Sequence, residues 1–178
     1  MSDDLNGSLR LDLPKGSAEL RGEPVVVLPA QALETLLRAA PSASRIDMGR
    51  DVGMAMGQHV ADRLGGAGSV RSAAIEQVVN ALATEIALAG LGELSLERWG
   101  RAMVIGLSGG PLAKQTELLA GLVGGAITAA TGREASAVSI GGGKYFVGGS
   151  RACERLRGLI TSGTSFGEAI ARMQGGAA

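Results

Sequence analysis

The chain has 178 residues, enough for one domain that buries about two-thirds of its unfolded surface, so folding needs no metal or disulfide staple. Hydrophobic residues make up 46% and charged residues 19%, with 17 basic against 17 acidic side chains, which excludes a disordered chain and a polybasic surface for nucleic acid or membrane. One cysteine, Cys153, and one histidine, His59, exclude a disulfide framework and a cysteine/histidine metal cage, and suit a reduced, cytoplasmic setting.

Met1-Ser2-Asp3-Asp4 lacks the charged-then-apolar pattern of a secretory signal. Leu9, Leu11 and Leu13 alternate with Arg10 and Asp12, Pro14-Lys15-Gly16 turns the chain, and Ala18 to Leu20 and Pro24 to Leu28 are further extended segments. Leucines at 33, 36 and 37 predict a helix over 30–40 closed by Pro41, and a second follows over 48–64. A third spans 72–89, with Ile75, Val79, Leu82 and Ile86 on one face and Gly90 as its stop. Residues 94–100 and 101–107 return to period-two alternation and predict two strands. A fourth helix follows Pro111 and runs to Thr131; its apolar run, Leu118 to Ala130, is too short to span a bilayer. Strands over 134–140 and 144–147 are joined by Gly141-Gly142-Gly143, a hairpin signal. Ser150 is placed to cap a helix that turns Cys153, Leu156 and Ile160 inward, and Ser165 with Glu168 forms a capping-box pattern before a last helix. Segregated runs of strands and helices predict an α+β fold with helices packed on a small antiparallel sheet. The expected organisation is an arm over 1–15, a single domain over 16–174 and a frayed tail over 175–178.

Twenty-nine glycines are about twice ordinary usage, and their placement is regular. Gly49, Gly53 and Gly57 recur at four-residue spacing in the second helix, and Gly121 and Gly125 repeat the device in the fourth. Each helix thus has a ridge almost without side chains. Tight packing within the chain, a homodimer seam and a ligand laid against bare backbone are the three readings of such a ridge.

Reactive motifs fail on inspection. Gly106-Leu107-Ser108-Gly109-Gly110 matches the G-x-S-x-G nucleophile elbow, yet no histidine follows Ser108 to take its proton. Gly141-Gly142-Gly143-Lys144 lacks P-loop spacing and a following Ser/Thr, and no G-x-G-x-x-G fingerprint opens a helix. His59 with Asp62, and Asp47 with Asp51, read as solvated helix-face groups. Cys153 reads as a small core hydrophobe despite the neighbouring Arg151, Arg155 and Arg157. No enzyme, metal or cofactor is expected.

Gly16-Ser17-Ala18-Glu19-Leu20-Arg21-Gly22-Glu23-Pro24-Val25-Val26-Val27-Leu28, then a leucine helix, then Gly53-x-x-x-Gly57-x-x-x-Ala61 resembles the opening of four-vinyl reductase domains. These share a ligand-binding fold with small subunits of the TRAPP trafficking complex. The third helix ending Gly90-Leu91-Gly92, the strands around Trp99, the small-residue helix and the closing hairpin fit the same layout over about 16–160. The cysteines that such domains often carry near that helix and hairpin are missing, so a metal is not carried over. The resemblance implies a homodimer, an apolar pocket and no catalytic machinery. The expectation is a non-enzymatic, dimeric domain that binds a small apolar ligand or serves as an adaptor for a partner protein. Its pocket would be lined by Val52, Met56, Val60, Leu118 and Leu122. The alternative is an assembly protein whose glycine-striped helices make subunit contacts without a pocket.

Overall fold

The computed structural model describes residues 9–66, 70 and 73–175. The chain divides into two compact units, Met1–Leu36 and Leu37–Ala178. The division falls inside the first helix and not after residue 15, because β1 (Leu9–Asp12) pairs along its length with β2 (Ser17–Leu20). β2 also pairs with β3 (Glu23–Val25), giving an antiparallel sheet in the order β1-β2-β3, followed by α1 (Ala30–Ala39). None of residues 9–36 is buried. Residues 1–8 of the expected arm and 176–178 of the expected tail lie outside the described residues; Gly175 belongs to the last helix.

The second unit holds α2 (Ser42–Arg63), α3 (Ile75–Leu88), β4 (Glu93–Trp99), β5 (Ala102–Ser108), α4 (Thr116–Thr131), β6 (Ser136–Gly141), β7 (Lys144–Gly148), α5 (Ser150–Thr161) and α6 (Phe166–Gly175). The sheet is antiparallel throughout in the order β4-β5-β7-β6, and the fold class is α+β. α2 begins a turn and a half earlier than the sequence pattern predicts, because Pro41 ends α1 and also stands at the α2 N-cap, where its missing N–H costs nothing. The predicted start of α3 at Ser72 lies outside the described residues. Gly142 and Gly143 both adopt positive φ (59° and 71°), the type I′ geometry that joins β6 to β7. Ser165 and Glu168 close the predicted capping box, with Ser165 Oγ 2.9 Å from Glu168 Oε2. Ser150 is not a cap: it is the first residue of α5, and its hydroxyl donates to Glu134 Oε1 (2.7 Å).

Strand alternation distributes the sheet between two cores. Ile105, Leu107, Tyr145, Val147 and Ala137 face α2, α3 and α4 in the main core. Ala102, Val138 and Phe146 face α5 and α6 in a second core with Cys153, Leu156 and Ala169. α4 is the pivot. A Cβ on Gly121 or Gly125 would strike the backbone of α2, and one on Gly124 would come 3.3 Å from the β6 backbone. Reciprocally, Gly49, Gly53 and Gly57 of α2 stand against the carbonyls of Leu118, Leu122 and Ala126. The paired numbers rise together, so α2 and α4 run parallel, ridge against ridge. The glycine ridges are therefore occupied within one chain, which removes them as a subunit seam.

Candidate ligand-binding cleft

Close approach of α2 and α4 leaves no room where the sequence pattern placed a pocket. Val60 and Leu122 are fully buried core residues and Leu118 is buried beside them. Met56 packs on the edge of that core, and Val52 is 40% exposed on the outer face of α2. None of the five lines the larger clefts among the described residues. A small apolar recess between α3, α4 and the sheet measures about 10 Å³, at most one water's worth of space.

One cleft, about 270 Å³, opens between the start of α3, the end of α4 and the strands β5 and β6. Its apolar wall is Ala73, Ile75, Val78, Met103, Ile127 and Ala135; Thr131, Arg133 and Glu134 supply polar atoms. α4 ends because Gly132 adopts the left-handed C-cap conformation (φ 65°), which turns Arg133 and Glu134 onto the cleft. The Thr128 hydroxyl then pins the strand entry, donating to Gly124 O (2.8 Å) and accepting the Ala135 N–H (3.0 Å). Glu134 is held by Ser150. A second cleft of about 400 Å³ shares Ile75 and Met103 with the first and reaches the β4–β5 hairpin through Leu96, Arg98 and Arg101. These walls come from separate segments with no common periodicity, which is why the sequence does not display them.

Other candidate groups are dispersed. Ser108 ends β5 on the surface, and the next helix begins only at Thr116, so the G-x-S-x-G stretch is not a strand-to-helix elbow. His59 Nδ1 lies 3.8 Å from Glu85, a buried carboxylate that Arg63 also approaches at 3.3 Å. Asp62 instead accepts from Gln58 (3.0 Å). Asp47 and Asp51 are exposed. Among the described residues, no group of three or more His, Cys, Asp or Glu is placed to hold a metal. Lys144 does not cradle an anion in its glycine turn; its Nζ is 2.8 Å from Glu97, over the Trp99 ring. Cys153 is buried, with its Sγ donating to Ser136 O (3.3 Å), and burial pushes its thiol pKa up. Tyr145 is fully buried, and its hydroxyl finds no hydrogen-bond partner among the described residues. Desolvation raises its pKa to about 12. A lone tyrosine in an apolar strand is the sequence signal of this buried hydroxyl.

Fold and cleft together define an α+β module with helices on both faces of an antiparallel sheet and an apolar cleft at one end of the main core. No protein-family model matches the chain, and no curated protein matches it. Among solved structures, it is similar to the phenol-responsive sensory domain of the transcription activator PoxR, determined with phenol. The two are 14% identical with a TM-score of 0.57, over 81% of this chain and 86% of that one. Similarity at that identity is one of fold. No helix among the described residues is long and apolar enough to cross a membrane.

Proposed function

We propose that this chain is a non-enzymatic, four-vinyl-reductase-like domain that binds a small, largely apolar ligand in the cleft between α3, α4 and β5, within a reduced cytoplasm. The observation that carries this reading is the 270 Å³ apolar cleft in a fold shared with a domain that senses phenol. An engineered apolar cavity of about 150 Å³ accepts benzene, so a single ring or a short acyl chain is the fitting size. Burial of apolar area, about 25 cal/mol per Å², is the driving term. The separation of Ser108 from a helix start and the engagement of His59 with Glu85 support binding over catalysis.

A homodimer belongs to the same proposal, with the Met1–Leu36 unit as its contact surface. Leu9, Leu11, Leu13, Val26, Val27, Leu28 and Leu36 are all more than half exposed, and a three-stranded sheet needs a covered apolar face to be stable. A second copy offers the same face in return.

Both parts are tested in the full chain. Titration with a naphthalene-based fluorescent probe should saturate and should weaken at least about tenfold in Ala135→Leu, which fills the cleft. Saturation unaffected by that substitution removes the cleft as the site. Light scattering should give a dimer that dissociates in Leu9→Lys/Leu11→Lys; a monomeric parent chain refutes the dimer.

A further inference from the structure

The two adjoining clefts are apolar where they meet and cationic where they open. Ile75 and Met103 form the shared wall. The lining of the first cleft carries Arg133 and that of the second Arg98 and Arg101, against the single carboxylate of Glu134. Arg98 is already paired with Glu76 at 2.8 Å, and Glu134 accepts from the neutral Ser150 hydroxyl while keeping its charge. Arg101 and Arg133 make no ion pair among the described residues. Local geometry sets both positions. Arg101 is the second residue of the two-residue turn between β4 and β5, whose first residue, Gly100, has φ 64°, and Arg133 follows the left-handed cap of α4.

We infer that the ligand is an amphiphilic anion, an apolar body with one carboxylate or similar acidic group, held with its body against Ile75 and Met103 and its charge toward Arg133 and Arg101. This rests on the proposed ligand-binding reading and narrows it from apolar molecules in general to those with an anionic head. A guanidinium supplies several donors in a planar fork suited to a carboxylate. A purely neutral ligand leaves both arginines without a role at the cleft.

The test is calorimetric titration of the full-length protein with octanoate and, in parallel, octan-1-ol, each below its aggregation concentration and at low salt. The pair differs in the head group and matches in the chain. Octanoate should bind about fivefold more tightly, the modest gain expected of solvent-facing arginines, and the advantage should shrink at high salt. Arg133→Gln and Arg101→Gln should each reduce the advantage without altering octanol binding. Arg155→Gln, on the exposed face of α5, should leave it intact. Equal binding of the two probes overturns the anion inference and leaves the apolar cleft standing. An advantage for octanoate that survives both substitutions overturns the assignment to these arginines. Binding of neither probe overturns the cleft as a ligand site, and the inference with it.

Discussion

Gly53 of α2 lies directly against the carbonyl of Leu122 in α4, close enough that a Cβ would overlap the oxygen. Backbone contact of this kind permits Cα–H···O interaction between the helices and compensates the poor helix propensity of glycine. Gly49 and Gly57 repeat it one turn to each side against Leu118 and Ala126.

Gly53→Ala should therefore destabilise the fold by about 3 kcal/mol, the upper range of overpacking, because rigid backbone is the obstacle. Gly158, in α5, has open space around its Cα and an ordinary φ, so Gly158→Ala should stabilise by up to about 1 kcal/mol. Chemical denaturation of the two variants gives opposite signs if the ridge packs as described. Equal small effects contradict it.

Tyr145 is the chain's single tyrosine, so phenolate absorbance reports it alone. Its folded pKa, about 12, exceeds the unfolded value of about 10. The unfolded chain then loses the proton first, so this group leaves the stability of the fold independent of pH below about pH 10 and lowers it as pH rises toward 12. Tyr145→Phe should remove that alkaline contribution. It should also raise neutral-pH stability by about 1 kcal/mol by deleting a buried hydroxyl that has no partner among the described residues. A melting temperature that drops instead indicates a partner for the hydroxyl.

Cys153 should resist a thiol-specific disulfide reagent in the native state and react fully on unfolding. Its Sγ is buried and burial raises its pKa, with only a smaller opposing influence from the Gly148 hydrogen bond and Arg157. Rapid native labelling at neutral pH refutes this.

Glu117 joins the starting ends of the parallel helices. The Ser42 hydroxyl donates to it at 2.6 Å, and Arg45 reaches it through Nε (2.7 Å) while its Nη1 donates to Leu37 O and Ala40 O. The Ser42 hydrogen bond and then Arg45 hold its carboxyl below the ordinary carboxylate range. Its contribution is complete above the unfolded pKa of about 4.5 and is lost as pH falls through the lower folded value. With 38% of the side chain exposed, solvent limits it to about 1 kcal/mol or less. Ser42→Ala should reduce stability near neutral pH and flatten the acid limb of the pH profile. An unchanged acid limb shows that Glu117 titrates normally.

The sequence by itself determined the class of fold and nearly every element. Period-two stretches gave β4 and β5, Gly141 to Gly143 marked the β6–β7 hairpin, and the Ser165/Glu168 pair marked the start of α6, because these signals act over a few adjacent residues. It also displayed the glycine ridges without saying what they meet. Tertiary structure alone decided that α2 and α4 meet each other in parallel, which fills the space assigned to a pocket at Val60 and Leu122. Only the folded chain brings Ile75, Met103, Ile127 and Arg133 together at a cleft elsewhere. Periodicity records which side of an element is apolar; a cleft forms where several elements end unequally, and element ends brought together in space leave no period along the chain.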